Sequence, residues 1–107
     1  MSKHLNAVRK KIGEVEDEMK RLHMWQKEPL RPEQYKITKA FGMDSMTFDQ
    51  WIQFILIPKV QEILDEDGAF PTNSMVGVQA LREFDSYPEA GNLVRLLNEF
   101  DRLINQE

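Results

Sequence analysis

Metal binding and nucleophilic catalysis often depend on histidine and cysteine, and this sequence has few such residues. It contains two histidines, His4 and His23, and no cysteine. Neither histidine belongs to a metal-binding spacing such as HExxH, and without cysteine there are no disulfides, thiolate metal sites or cysteine nucleophiles. We interpret His23 as a residue on a helix surface. The sequence therefore predicts no metal site and no bound cofactor.

The carboxylates and hydroxyls also form no recognisable catalytic motif. Residues 65–68 read Asp-Glu-Asp-Gly but lack the alternating ligands and terminal glutamate of a calcium loop, so they indicate a helix end. Acidic residues between 14 and 18 predict a solvated helix face. There is no G-x-S-x-G, P-loop or G-x-G-x-x-G. The residues predict a protein that is not an enzyme, and an unrecognised site using Asp44 or a histidine as base is the alternative.

Direct binding of nucleic acid is not expected, because the chain has no evident basic face. It carries 14 Lys and Arg against 18 Asp and Glu, a net charge of -4. The basic run 9–11 is typical of a solvated helix face. Trp25 and Trp51 could stack on bases. Trp51, however, lies in an apolar segment, and Trp25 is expected to cover the end of a helix bundle.

The first element that positions these residues is a long helix predicted over 3–27. Its apolar residues alternate at spacings of three and four and give the heptad stripe Leu5, Val8, Ile12, Val15, Met19 and Leu22. Two ion pairs, Glu16 with Lys20 and Asp17 with Arg21, should support it. Such a stripe packs on another helix, either within the chain or in a second copy. A homo-oligomer through the first helix is therefore an alternative to intramolecular packing.

A second helix is predicted from Thr47 to residue 64. Thr47 and Gln50 match a capping box, and Met46 and Trp51 stand where a hydrophobic staple forms. Its apolar residues run nearly all the way round, which is typical of a central helix, and Pro58 should kink it. A membrane-spanning helix needs about 20 mostly apolar residues. The longest apolar run here is Phe54–Ile57, so no membrane anchor is predicted.

Two further helices complete an all-α, single-domain bundle of about four helices over residues 1–107. Ser74 is a candidate N-cap for a helix through Phe84, with Met75, Val78, Leu81 and Phe84 facing inward and Gly77 weakening it slightly. The last helix, 88–106, is the expected antiparallel partner of the first. We expect an interrupted antiparallel arrangement. The N-terminus lacks the apolar stretch of a secretory signal, which favours a cytoplasmic protein.

A long ordered loop, 28–46, joins the first two helices, and Pro29 and Pro32 end the helix before it. The loop shows no clean period, but it carries Tyr35, Ile37, Phe41, Met43 and Met46. These apolar side chains should hold it against the core. Connections of this length are uncommon and often functional.

The segment FGMDSMTFDQWIQFILIPK, residues 41–59, resembles the YqcC-like family of small bacterial helical proteins. The matching pattern is an aromatic residue before Met-Asp-Ser-Met, then Trp, Gln, an aromatic, an aliphatic run and Pro-Lys. It is carried by Phe41, Met43, Asp44, Ser45, Met46, Trp51, Gln53, Phe54, Ile55, Leu56, Ile57, Pro58 and Lys59. Trp25, Pro32, Gln34, Tyr35 and the heptad helix extend the resemblance over most of the chain.

The resemblance implies an all-helical bundle, and some members of the family are labelled tRNA pseudouridine synthase C. A synthase of that kind needs a catalytic aspartate in a motif like H-R-L-D on a larger α/β domain. Neither histidine of this chain precedes such a motif, and Asp44 does not match it. The resemblance therefore implies association with pseudouridine modification. Asp44 itself, just before the Thr47 cap, is expected to form local hydrogen bonds.

The functional prediction is a non-enzymatic binding or accessory protein. Its partner is expected to be another protein, with a tRNA pseudouridine synthase suggested by the resemblance alone, and an RNA-contacting factor is an alternative. The predicted partner-binding residues lie on the long loop and at its edges: Trp25, Tyr35, Phe41, Met43, Asp44, Met46 and Lys59.

Overall fold

The structure is a computed structural model that describes residues 3–66 and 69–105. Within these residues the chain is helical and has no strand. The helices are α1 (Lys3–Arg21), α2 (Phe48–Trp51), α3 (Ile57–Asp65), α4 (Val76–Glu83) and α5 (Gly91–Asn105). A π-helical turn, Ile52–Leu56, joins α2 to α3, and 3₁₀ turns lie at Pro32–Tyr35, Ala40–Gly42 and Pro88–Ala90. The predicted all-α fold is confirmed.

Helices α1 and α5 pack together in antiparallel orientation, as the two stripes predict. Val8, Val15 and Met19 are fully buried, as are Leu93 and Leu97 on α5. Lys11 pairs with Glu99, while Glu18, further along α1, bonds Asn92, earlier on α5, so the two helices run in opposite directions. The heptad stripe is thus buried within one chain. Self-association through α1 stays a prediction, and a second copy would have to use another face of α1 or displace α5.

Helix α1 ends at Arg21, six residues before the predicted end at 27. The backbone N–H of Met24 donates to the Met19 carbonyl at 2.8 Å, and that of His23 donates to the Lys20 carbonyl at 3.1 Å. This pair of bonds is a Schellman motif, in which His23 takes the left-handed position with φ of 61°. The interpretation of His23 as a helix-surface residue is therefore wrong, because the helix has closed before it.

One of the two predicted ion pairs on α1 forms and the other does not. Lys20 pairs with Glu16 at 2.8 Å. Arg21 instead binds Glu18, which is nearly buried, through two hydrogen bonds. This contact lowers the pKa of Glu18. Arg21 pairs with Glu18 and not with Asp17 because a bidentate bond to a partly desolvated carboxylate is stronger than a single exposed contact.

The predicted second helix forms as three consecutive segments. Thr47 and Gln50 make the expected capping box, with the Gln50 N–H donating to the Thr47 hydroxyl at 3.3 Å. The Ile57 N–H bonds the Ile52 carbonyl five residues back, which defines the wider π turn directly before Pro58. Ile52 and Ile57 are buried, but residues 54–56 are only half-buried. The segment is therefore not surrounded on every side as predicted. No helix among the described residues has the length and apolar character needed to cross a membrane.

Helix α4 is capped by a carboxylate from α5 and not by Ser74. Asp101 accepts from the N–H of Gly77 at 2.7 Å and of Val76 at 3.2 Å, and the Ser74 hydroxyl also donates to it. Ser74 is thus a ligand of the capping residue. The carboxylate from α5 fixes how α4 is rotated about its axis, because it holds the first turn from the side.

That rotation turns the predicted inward face of α4 outward. Met75, Val78 and Leu81 are 58%, 38% and 56% exposed, and the buried residues of α4 are Val76, Gly77, Gln79 and Ala80. The inward assignment is therefore wrong. A β-carbon on Gly77 would lie 2.6 Å from the Asn98 amide oxygen, so α4 and α5 approach too closely for large side chains at the crossing.

Candidate protein-binding surface

The long loop is ordered by hydrogen bonds from its own side chains. Gln34 accepts from the Arg31 N–H and donates to the Ser45 carbonyl, which ties the two halves of the loop together. The Ser45 hydroxyl donates to the Lys36 carbonyl at 3.1 Å. Leu30 is buried at the start of the loop. The predicted ordered loop is present, and it positions the candidate residues.

Asp44 is the strongest brace within the loop. Its carboxylate accepts from the Thr38 hydroxyl, from the Thr38 N–H at 3.2 Å and from the Lys39 N–H at 3.2 Å. The Thr38 hydroxyl is the main reason that the pKa of Asp44 lies below its ordinary value, and the backbone donors add to it. A carboxylate with a lowered pKa is a poor base, so these contacts suit the local role expected of Asp44 and disfavour proton abstraction.

Phe41 and Gly42 turn the loop by adopting left-handed backbone conformations, with φ of 58° and 63°. Phe41 packs edge-on against Trp51, with ring centroids 5.1 Å apart, and against Phe48 at 6.0 Å. Trp51 in turn stacks on Phe48. A bulky residue with positive φ is held by its surroundings, and here the aromatic cluster holds it. Phe41 therefore belongs to the support of the surface.

The consequence of this turn is that Met43 projects outward, with 59% of its surface exposed. Beside it lies a groove of about 330 Å³. We call it the Met43 groove, and its lining consists of Met43, Met46, Thr47, Phe48, Asp49, Glu83 and Phe84. Gln79 of α4 reaches across to the Met43 sulfur at 3.9 Å. The groove therefore forms where the loop, α2 and α4 meet.

Not all the predicted residues join this groove. Met43 and Met46 line it, and Phe41 supports its floor through Phe48. Tyr35 is exposed on the loop. Lys59 is exposed, pairs with Glu62 and borders a separate depression beside Phe70.

Trp25 packs against the core at the end of the bundle, as expected, with the Lys20 ammonium 5.3 Å from its ring centre. One face of the indole is thus covered by its own chain, which leaves less ring surface for base stacking.

Sequence reasoning missed Phe48, Asp49, Glu83 and Phe84 as parts of the surface. Phe84 and Glu83 lie far from Met43 along the chain, and no local spacing connects them. Phe84 and Phe48 meet with ring centroids 5.8 Å apart, which closes the floor of the groove. The only usable signal was the aromatic residue at the end of α4.

Three glutamines fix the segment before the loop to α2 and the π turn. The Gln53 side chain accepts from the Gln26 N–H at 3.0 Å and donates to the Gln26 carbonyl at 2.8 Å, so it pairs with the backbone as a neighbouring strand would. Gln50 donates to the Gln26 side chain at 3.1 Å. Gln53 is nearly buried, and these bonds satisfy both ends of its amide. It is a structural residue within the motif.

No group of three or more possible metal ligands occurs in 3–66 or 69–105. The predicted helix end at 65–68 is seen at Asp65, and Asp67 and Gly68 lie outside the described residues.

Comparison with known proteins places these features in a family. The DUF446 family model, described as tRNA pseudouridine synthase C, matches residues 7–103. An uncharacterised protein of Haemophilus influenzae is 25% identical over 83 residues, which are 75% of this chain and 78% of that protein. The uncharacterised protein YqcC of Escherichia coli is 30% identical over 66 residues, 62% of this chain and 61% of YqcC.

Two further comparisons concern a relative named as a synthase and a solved structure. A Pectobacterium carotovorum protein named tRNA pseudouridine synthase C is 29% identical over 66 residues, which are 62% of this chain but 18% of that protein. The solution NMR structure of E. coli YqcC superposes with a TM-score of 0.87 at 23% identity, covering 98% of this chain and 91% of YqcC. The superposition shows that the helical fold is shared.

Proposed function

The chain belongs to the YqcC-like family, DUF446, and from this membership and the surface described above we propose that it is a non-enzymatic accessory protein. It binds another protein through the Met43 groove. The observation that carries the proposal is the exposure of Met43 on a loop that is otherwise tightly braced. An ordered loop whose hydrogen bonds hold a large apolar side chain exposed to water is typical of a binding surface.

A tRNA pseudouridine synthase is the partner we propose. The Pectobacterium protein carries the synthase name, but the similarity covers 18% of its length, so most of that protein has no counterpart in this chain. The activity in the name therefore need not reside in the shared part. A small domain that occurs with a synthase in one chain can serve a separate synthase as a binding partner.

The hydrogen bonds and the lowered pKa of Asp44 favour an accessory role over a role as catalytic base. The carboxylate oxygens of Asp44 accept hydrogen bonds from Thr38 and Lys39. Removing such a brace would disturb the shape of the loop. It would not remove a proton acceptor from a reaction.

The test is binding of the purified pseudouridine synthase from the same organism, with and without ribonuclease. Met43→Gln keeps the length of the side chain and makes the groove wall polar, so we expect affinity to fall about tenfold, the loss typical of an interface hot spot. Met75→Gln is the matched control, because Met75 is 58% exposed and Met43 59%. It should bind like the wild type.

Two results would contradict the proposal. Equal binding by Met43→Gln and Met75→Gln would remove the groove from the interface. Binding that ribonuclease abolishes would make RNA the bridge, and the alternative of an RNA-contacting factor would replace the accessory role.

A further inference from the structure

The floor of the Met43 groove is rigid and apolar, while one of its walls can adapt. Phe48 is 7% exposed and is held between the rings of Trp51 and Phe84. Met43, by contrast, is exposed and unbranched, and a thioether side chain can change rotamer to follow an occupant. A fixed aromatic floor with a flexible methionine wall fits an apolar side chain whose shape is not strictly defined.

Size indicates what kind of occupant fits. The volume of about 330 Å³ lies at the lower end of the range of about 300 to 1,000 Å³ that small-molecule sites occupy, and the groove is open to solvent. An open groove of this size covers one or two side chains of a protein segment. It would leave most of a free small molecule in water.

The rim of the groove carries two carboxylates without a cation. Asp49 lies in the first turn of α2, and Glu83 lies at the end of α4. Glu83 accepts a hydrogen bond from Gln79 at 2.8 Å, and neither carboxylate forms an ion pair with any residue of 3–66 or 69–105. Among the other surface carboxylates, Glu14, Glu16, Glu62 and Glu99 pair with lysine or arginine. Asp85 and Glu89 resemble the two rim acids in forming no ion pair with the described residues. What sets Asp49 and Glu83 apart is their position on the rim of an apolar groove, an arrangement complementary to a cationic apolar segment.

From this juxtaposition we infer that the occupant of the Met43 groove is a basic amphipathic segment of the partner protein. One large apolar side chain of the segment enters between Met43 and Phe84. Lysine or arginine residues on either side of it pair with Asp49 and Glu83. The inference rests on the proposed function, since it names the chemistry of what this surface binds.

Two other occupants fit less well. A phosphate backbone would be repelled by the two rim carboxylates, so RNA is disfavoured here. A second copy of the chain would have to present a basic apolar segment. The basic run of α1 includes Lys11, which already pairs with Glu14 and Glu99.

The test uses two synthetic amphipathic peptides as probes, titrated into isotope-labelled protein and followed by amide NMR spectra. Both peptides carry leucine at the same helical positions, and one has lysine and the other glutamate at every polar position. We expect the lysine peptide to shift the amide signals of residues 43–49 and 83–84, and the glutamate peptide to leave them unchanged.

Charge variants then assign the effect to the rim. Glu83→Lys should lower the affinity for the lysine peptide about fivefold, the upper range for one surface ion pair. Glu89→Lys is the matched control, because Glu89 is exposed on the turn before α5, does not line the groove and gives the same change in net charge. Glu89→Lys should lower the affinity for the lysine peptide by less than about twofold, through long-range charge alone.

Four outcomes of the peptide experiments overturn the inference. They are equal binding of the two peptides, shifts that map elsewhere, no shifts up to about 1 mM peptide, and equal weakening by Glu83→Lys and Glu89→Lys. Concentration-dependent shifts of the groove amides without peptide would assign the groove to a second copy and overturn it as well.

The two proposals fail separately. If the synthase binds in a Met43-dependent way but the peptides do not, the function stands and the inference falls. If the lysine peptide binds at the groove but the synthase does not, the inference stands and the choice of synthase as partner falls.

Discussion

At the residue scale, Asp44 braces the loop that carries Met43. Its carboxylate gathers three donors from Thr38 and Lys39, and the groove wall begins at the preceding residue, Met43. Asp44→Asn loses the charge that strengthens these bonds. We expect the urea midpoint of unfolding to fall at neutral pH.

The pH dependence of that loss follows from the lowered pKa of Asp44. A carboxyl with a lowered folded-state pKa stabilises the fold above its ordinary value of 3.8, and the stabilisation is lost as pH falls through the folded pKa. Wild type and variant should therefore converge in acid. Asp85→Asn serves as control, because the exposed Asp85 accepts no side-chain hydrogen bond from the described residues. An Asp44→Asn deficit that persists below the folded pKa would contradict the assigned role.

At the element scale, the crossing of α4 and α5 depends on the missing side chain of Gly77. A β-carbon there would lie 2.7 Å from the Asn98 α-carbon, and a backbone atom cannot rotate away. Gly77→Ala should therefore cost about 2 kcal/mol, despite alanine's better helix propensity. Gly13→Ala, where nothing lies within 4 Å, should stabilise by up to about 1 kcal/mol. Chemical denaturation of both variants checks the pair, and a stabilised Gly77→Ala would show that the helices can separate freely.

The closing turn of α1 gives a second prediction at this scale. His23 occupies a left-handed position with φ of 61°, which costs a side-chain-bearing residue free energy that glycine does not lose. His23→Gly should raise the unfolding free energy by about 0.5–1 kcal/mol, measured by thermal melting. Lys10→Gly, at an exposed position inside α1, should lower it by up to about 1 kcal/mol. If both variants lose stability equally, the Schellman motif does not form in solution.

At the scale of the whole molecule, the Lys11–Glu99 pair links the first and last helices at 2.6 Å. Its hydrogen bond is the main cause of the raised pKa of Lys11 and the lowered pKa of Glu99. The contribution of Glu99 is full above 4.5 and is lost as pH falls through the folded pKa, and that of Lys11 is full below 10.5 and is lost as pH rises through its folded pKa.

Glu99→Gln removes the Lys11–Glu99 pair together with the exposed Arg95–Glu99 pair. It should therefore lower stability by less than about 1 kcal/mol, and most clearly between those two pH limits. The measurement is urea unfolding across pH. Glu62→Gln removes the exposed Lys59–Glu62 pair and should change stability little. A Glu99→Gln effect that does not vary with pH would point to packing at that position and not to the ion pair.

The same scale shows what could be predicted from the sequence. The stripe from Val8 to Met19 keeps one dominant period over about three helical turns, so its burial and its partner helix follow directly. Thr47 and Gln50 act within one turn, and their capping box also follows. The end of α1 was less accessible, because histidine rarely marks a left-handed cap and the prolines further on gave a stronger signal.

Helix α4 and the groove could not be predicted, because both depend on distant residues. The spacing of Met75, Val78 and Leu81 is as regular as that of a buried face, yet Asp101 of α5 sets the rotation of the helix. Helix packing then selects Gly77 and Ala80 for the interior. Of the loop residues, Met43 and Met46 could be chosen as apolar candidates, but their neighbours across the groove belong to α4 and have no sequence signature.

The methionines differ in solvent exposure, and this has a chemical consequence. Met43 and Met75 are more than half exposed, whereas Met19 is fully buried. Peroxide converts an accessible thioether to a polar, chiral sulfoxide, so limited oxidation should reach Met43 and Met75 before the core. The fold would then outlast the apolar wall of the groove. Oxidative damage in storage would accordingly yield a protein that is still helical by circular dichroism but has a polar wall on the Met43 groove, and methionine sulfoxide reductases would reverse the change.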